Sequence, residues 1–241
     1  MTGELLLAAV SHDLRSPLAA ARAAVSCLRS GDLQLTAADQ DELLATAEES
    51  LDMLSRLAAG LLDVTRLQAG EPSVFPRPAD LEKIIGCALA GLAPRARAVR
   101  VDLPAGLPEV MADPPVLERV IANVTANALR YSPAGSPPLL TASACGGRVE
   151  LRIADRGPGV AAGDRDRMFV PFARLGGAGH ATGLGLGLGL SVSRGLTEAM
   201  RGTLEAGDTP GGGLTMTITL PAAPISQPLA AERTRAGGIG P

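Results

Sequence analysis

The chain runs to 241 residues, room for one small and one medium domain, and its 46% apolar against 20% charged content argues against a wholly disordered protein. A formal charge of −3 leaves no basic footprint for nucleic acid or an anionic membrane surface, and three scattered cysteines (Cys27, Cys87, Cys145) build neither a disulfide framework nor a zinc site. No apolar run reaches the ~18 residues of a membrane helix and no signal-like N-terminus is present, so the reading is a cytoplasmic region.

Residues 2–30 predict a helix, with apolar side chains at Leu7, Leu14, Leu18, Ala21, Val25 and Leu28 in the 4-3 spacing of a seam. Gly31 stops it, and Thr36 with Asp39 offers a capped start to a second helix over 38–69, whose seam is Leu44, Ala47, Leu51, Leu54, Ala58 and Leu61. Two long helices with a short connection make an antiparallel hairpin. One seam per helix buries too little surface alone, so residues 1–69 predict pairing with a second copy into a four-helix bundle. Gly70, Pro72, Pro76 and Pro78 then read as a linker over 70–79.

Residues 80–221 predict an α/β domain: helices over 81–92, 115–129 and 188–200, and strands near 99–103, 139–144, 149–155, 203–206 and 214–220. In the last strand Thr215, Thr217 and Thr219 alternate with Met216, Ile218 and Leu220, giving one polar and one buried face. Residues 222–241 are Pro/Ala/Gly-rich without periodicity and read as a disordered tail. The fold class is therefore α+β, a helical hairpin followed by an α/β sandwich.

Chemistry-bearing residues fall in five places. His12 lies about 200° around the first helix from the seam residue Leu14, so its imidazole is expected to face water. Alone it reads by default as an inconsequential surface histidine, but Asp13 beside it can orient a ring nitrogen or accept its proton, and Pro17 removes one helical hydrogen bond just beyond it. Asn123 and Asn127 share one helix face ahead of Arg130 and Tyr131, as a solvated stripe or as oxygen ligands near a cation and phosphates. Asp155 opens Asp-Arg-Gly-Pro-Gly, an ordinary strand-ending turn or a carboxylate placed to accept an adenine amino group. Phe169 and Phe172 lie in Met-Phe-Val-Pro-Phe-Ala-Arg. The run 183–190 alternates Gly and Leu ahead of a helix, as a flexible loop or as a cradle of backbone amides for phosphate. No Gly-Lys-Ser/Thr follows, which rules out a P-loop, and glycines this late in the domain disfavour a dinucleotide fold.

Ser11-His12-Asp13-Leu14-Arg15-Ser16-Pro17-Leu18 closely resembles the phospho-acceptor box of the sensor histidine kinases of two-component systems. Asn123 to Tyr131 resembles their N box, Asp155 to Gly159 the first glycine box, Met168 to Arg174 the F box, and Gly185 to Leu196 the second glycine box, in that family's order. The wording of the acceptor box, of Leu62 to Gly70 and of the second glycine box is similar in particular to the KdpD-type, potassium-responsive kinases, which implies a potassium or osmotic stimulus.

The resemblance implies a dimerising hairpin joined to a Bergerat-type α/β sandwich, the ATP-binding fold shared with gyrase and MutL. It implies ATP and Mg²⁺ as cofactors, with Asn127 holding the metal. His12 would take the γ-phosphoryl group, with Asp13 as orienting group or base, and pass it to an aspartate on a response regulator receiver domain docked against the hairpin. The nucleotide would be held by Asn123, Asn127, Arg130, Tyr131, Asp155, Gly157, Gly159, Phe169, Arg174, Gly185, Leu186, Gly187, Leu188 and Gly189. A sensory, membrane-anchored region would lie upstream, making this chain a fragment or a truncated product. Asn123 stands where the superfamily's ATPases carry a water-activating glutamate, which disfavours hydrolysis to solvent, and intact His12, Asn127 and Asp155 argue against an inactive scaffold. Two departures stand out. Leu214 replaces a threonine common before the last strand, which puts a hydroxyl contact to adenine in doubt. Asp13 and Ser16 replace Glu and Thr or Asn, which puts the accessory phosphatase activity in question.

Overall fold

The computed structural model describes residues 3–30, 35–70, 74–92, 99–173 and 187–224. The expected helix stop at Gly31, the linker residue Pro72 and residues 225–241 of the tail expected over 222–241 lie outside the described residues, whereas Ala222, bridged to Val110, and the buried Ala223 still belong to the folded domain.

Helices α1 (Gly3–Arg29) and α2 (Ala37–Gln68) form the expected antiparallel hairpin, and α1 runs unbroken through Pro17. A capping box starts α2: the Asp39 amide donates to Thr36 Oγ1 at 3.2 Å and the Thr36 amide donates to Asp39 Oδ2 at 2.8 Å, satisfying two otherwise orphaned donors. The expected single seam is corrected. Pro17, Ala21 and Ala24 of α1 are buried, as are Ala47, Ser50 and Leu57 of α2. Leu18, Val25, Leu44 and Leu51 instead remain 54%, 46%, 50% and 55% exposed. Neighbouring helical positions point about 100° apart, so a row of apolar residues in 4-3 spacing can belong to either of two adjacent stripes. Here one stripe closes the hairpin and the other stays bare.

The second half of α2 has a third side. Leu57 joins the core of the following domain, with Met53, Leu61 and Val64 packed against that core. Gly195 of helix α5 (Gly189–Ala199) lets Leu67 approach so closely that a Cβ there would stand 2.7 Å from Leu67 Cδ1. Asp63 pairs with Arg119 of helix α4 (Pro114–Tyr131) at 2.8 Å.

Beyond α2 the chain builds two layers. A five-stranded sheet has the order β2-β4-β5-β7-β6, from Arg100–Asp102, Leu139–Cys145, Arg148–Ala154, Leu214–Pro221 and Thr203–Asp208. β2 runs parallel to β4 and every other pair is antiparallel. Helix α3 (Leu81–Ala90) packs on α4, and α4 on α5. Their buried faces and the inward side chains of the sheet form one cluster, from Leu117, Ile121 and Val124 of α4 to Leu140, Ile153, Ile218 and Leu204 of the strands. Full burial of each such side chain contributes about 1.5–3 kcal/mol, so α4, apolar along its inner side, is held as the central helix. The threonines of β7 face away from it, as the alternation predicts. The proline-rich segment read as linker supplies β1 (Arg77–Ala79), which pairs with β3 (Val110–Ala112), a two-stranded ribbon too short to leave a sequence signal. Asp80 caps α3, and the Lys83 amide above all holds its carboxyl below the usual carboxylate range.

Candidate functional site

The sequence motifs from residue 123 onward converge because α4, α5 and the ends of β5 and β7 meet on one side of the domain. Asp155 follows β5 and is 4% exposed, a carboxylate that stays buried only where donors meet it. Its Oδ1 accepts the Gly157 amide at 2.8 Å and the Leu214 amide at 3.1 Å. No hydrogen bond is recorded for Oδ2 among the described residues, so one oxygen is anchored and the other is available to an incoming donor. Gly157 is a glycine for steric reasons, since a Cβ there would stand 2.7 Å from the Tyr131 carbonyl oxygen. Gly159 takes φ +70° and passes under Gly213.

Gly213 itself has φ +113°, and a Cβ on it would collide with the Asp155 carbonyl. Gly213→Ala therefore combines a disfavoured backbone with a backbone clash and is expected to cost about 3 kcal/mol or more. The thermal midpoint should fall by several degrees. A midpoint equal to the parent's would show that the two turns are not packed in this way.

On α4, Asn123 donates through Nδ2 to Ser193 Oγ at 2.9 Å, and a Cβ on Gly189 would stand 2.5 Å from Asn123 Oδ1. The structure thus places Asn123 as the tie between the N-box helix and the first turns of α5. Asn127, one turn on, is half-buried, and its carboxamide has no hydrogen-bond partner among the described residues. Arg130 and Tyr131 lie exposed at the end of α4 with the guanidinium 5.9 Å from the ring centroid. Phe169 is buried, with the Arg194 guanidinium 4.6 Å from its ring centroid, a cation–π contact from α5 to the F box.

Gly187 has φ +65° and accepts the Phe172 amide at 3.2 Å, and Phe172 itself takes φ +65°, a costly conformation for a bulky residue. Leu188 is buried at the head of α5, close to Gly60 of α2. Arg174, Gly185, Leu186 and the rest of 174–186 lie outside the described residues. His12 and Asp13 fall within α1, and their side chains also lie outside the described residues. Ser16, one turn on, is exposed.

Sequence reasoning missed Ser193, Arg194, the Asp63–Arg119 pair and Gly213. The interior glycine at 195 and the triple glycine at 211–213 were the available signals: a helix interior and a strand start spend a glycine where something approaches closely.

The comparisons with known proteins follow the same two units. The model of the His Kinase A (phospho-acceptor) domain matches residues 4–70, and that of the histidine kinase-, DNA gyrase B- and HSP90-like ATPases matches residues 112–224. The chain belongs to the histidine kinase family. Sensor protein KdpD of Mycobacterium tuberculosis is 47% identical to this chain over 229 residues, 92% of the chain and 26% of the relative. The Escherichia coli KdpD is 32% identical over 217 residues, 90% of the chain and 24% of that relative. The chain thus spans about a quarter of the length of these curated relatives. Among solved structures, full-length ShkA in complex with AMPPNP is 30% identical with a TM-score of 0.65, covering 95% of this chain and 48% of its own. The Acinetobacter baumannii histidine kinase AdeS shares the fold at 22% identity and a TM-score of 0.67, over 88% of this chain and 98% of that one. Among the described residues no helix is long and apolar enough to cross a membrane.

Proposed function

We propose that this chain is the phosphoryl-transferring region of a two-component sensor kinase, which takes the γ-phosphoryl group of ATP onto His12 and passes it to an aspartate of a response regulator. The observation that carries this reading is the docking of the acceptor hairpin on the two helices that bear the nucleotide motifs. Asp63 meets Arg119 of α4, Leu67 meets Gly195 of α5, and Leu188 of the second glycine box lies by Gly60. Asn123, tied to Ser193, leaves no carboxylate at that position to activate water, which favours the hairpin histidine as acceptor.

Adenine would be recognised by Asp155 Oδ2, and the phosphates by the amides around Gly187 to Gly189 at the start of α5. Asn127 suits Mg²⁺, a hard cation that takes few protein oxygens beside phosphate, and no group of three or more His, Cys, Asp and Glu among the described residues could hold a metal ion by itself. The bound ion would neutralise the triphosphate. The chain's own part is alignment of donor and acceptor, which is most of what phosphoryl transfer asks of a protein. Incubation with labelled ATP should give a stoichiometric phosphoprotein, labile to acid and stable to base. Steady phosphate release without a phosphoprotein would favour an ATPase instead.

The bare stripe of Leu18, Val25, Leu44 and Leu51 supports dimerisation through the hairpin. Leu51→Asp places a charge in that stripe and should convert a dimer to a monomer in light scattering, while a dimer unchanged by it would locate the interface elsewhere. The response regulator would dock against the hairpin. For its dephosphorylation, the exposed Ser16 is a poorer holder of an attacking water than a β-branched residue. Ser16→Thr should therefore speed loss of phosphate from the regulator with His12 labelling nearly unchanged, and a variant no faster than the parent would sink the idea. The likeness to KdpD supports a potassium or osmotic stimulus, cytoplasmic placement of this region and an upstream sensor in a membrane-anchored whole.

A further inference from the structure

The carboxylate of Asp155 is aimed by the β6–β7 turn, which closes on itself through the Gly212 amide to the Thr209 carbonyl at 2.9 Å and the Thr209 amide to the Gly213 carbonyl at 3.2 Å. Asp155 Oδ1 takes the Leu214 amide, and the Asp155 amide returns a hydrogen bond to the Leu214 carbonyl at 2.9 Å, so the placing of Leu214 sets the placing of the carboxylate. Leu214 follows three glycines, Gly211, Gly212 and Gly213, at φ +87°, +104° and +113°. Glycine holds such angles without strain but also without preference, so the turn's own bonds fix its shape while contacts from outside fix where it stands against Asp155. Leu214 has no side-chain hydroxyl, so its backbone amide is the contact to Asp155 at that position.

Two arginines supply the brace. Arg156, next to Asp155, donates through Nη1 to the Pro210 carbonyl. Arg165 pairs through Nη2 with Asp208 at the end of β6, and its Nε donates to the Val160 carbonyl at 3.4 Å. They grip the β6–β7 turn from opposite ends of the loop that starts at Asp155, and inside the turn the hydroxyls of Thr209 and Thr215 meet at 2.9 Å. Asp208 is 77% exposed, so its pair with Arg165 adds little to folding stability. Its effect is on position.

We propose that Arg156 and Arg165 are positioning residues for base recognition, which hold the Leu214 amide on Asp155 Oδ1 and so aim Oδ2 at the adenine amino group. The proposal rests on the reading of Asp155 as the adenine contact. The test is calorimetric titration of the full chain with ADP and with inosine diphosphate, which carries a keto oxygen where adenine carries its amino group. The parent should prefer ADP. In the Arg156→Ala/Arg165→Ala double variant that preference should narrow about tenfold, as expected for a contact displaced by a fraction of an ångström, with inosine diphosphate affinity and the melting midpoint unchanged. Arg165→Lys, which keeps the charge opposite Asp208, should retain most of the preference.

Asp155→Asn separates the possible failures. If it loses the preference while the double arginine variant keeps it, the brace is overturned and the adenine contact stands. If it keeps the preference, the adenine contact falls and the brace with it. Parallel losses for both nucleotides, or a lowered midpoint in the double variant, would reveal a role in folding alone and overturn the proposal.

Discussion

A His12→Gln variant is expected to take up no phosphoryl group from ATP while binding the nucleotide as the parent does. Glutamine keeps a polar side chain of similar reach and suits a helix as well as histidine, so α1 and the hairpin should survive the change. Chemistry is what is lost. A carboxamide has no lone pair of imidazole basicity near neutral pH, and labelling should drop by more than about a thousandfold. Nucleotide affinity should not follow, because the described groups of the proposed nucleotide site, from Asn123 to Gly189, all lie beyond the hairpin. The measurement pairs incorporation of labelled phosphate with a titration of ADP, and undiminished labelling would mean that another side chain is the acceptor.

The second large effect separates Asp155→Asn from Asn127→Asp. Asparagine at 155 can still accept the Gly157 and Leu214 amides through its oxygen, but it then turns an NH₂ group towards the adenine amino group, donor against donor. Leaving that buried pair unmade costs about 2–3 kcal/mol, so ADP and ATP should both bind roughly 30- to 150-fold more weakly whether or not Mg²⁺ is present. Asn127→Asp changes a half-buried carboxamide into a carboxylate, which on the proposed reading would stand beside the triphosphate. Its repulsion acts on the phosphates and is relieved by a cation, so its defect should shrink as Mg²⁺ rises. Titrations at several Mg²⁺ concentrations decide the matter: two variants with indistinguishable profiles would refute the assignment of base and phosphate ends.

The order of elements was legible because each has a strong local cause. Thr36 with Asp39 starts α2, Pro114 sits in the first turn of α4, and the Thr/apolar alternation of 214–220 marks β7. Motif spacing likewise pointed to the two carboxamides and the glycine turns that the structure gathers at one side of the domain. What escaped was everything that depends on a partner distant in sequence. The stripe of α2 that closes the hairpin differs by a single position from the stripe left bare, and no local signal separates Leu43 from Leu44. β1 and β3 are three residues each and gain their identity from pairing with each other, Arg77 with Ala112 through Ala79 with Val110. Asn123 reads as a ligand from its spacing, yet its Nδ2 goes to Ser193, 70 residues on. The docking of Leu67 on Gly195 could be suspected from a glycine inside a helix, but its partner could not be named.

Helix α2 presents three different sides, one to α1, one to α4 and α5, and one bare, and this makes the protein sensitive to helix length. Adding one residue between Ser50 and Leu57 would turn everything beyond it by about 100°. Asp63 would swing away from Arg119, Leu67 would leave the space above Gly195, and a bare-side leucine would be driven towards the other domain. Adding seven residues would restore the angle to within about 20° while carrying the docked domain some 10 Å along the axis. The second helix therefore works as a keyed shaft, whose phase fixes which face meets the nucleotide domain and whose length fixes how far that domain stands from the level of His12.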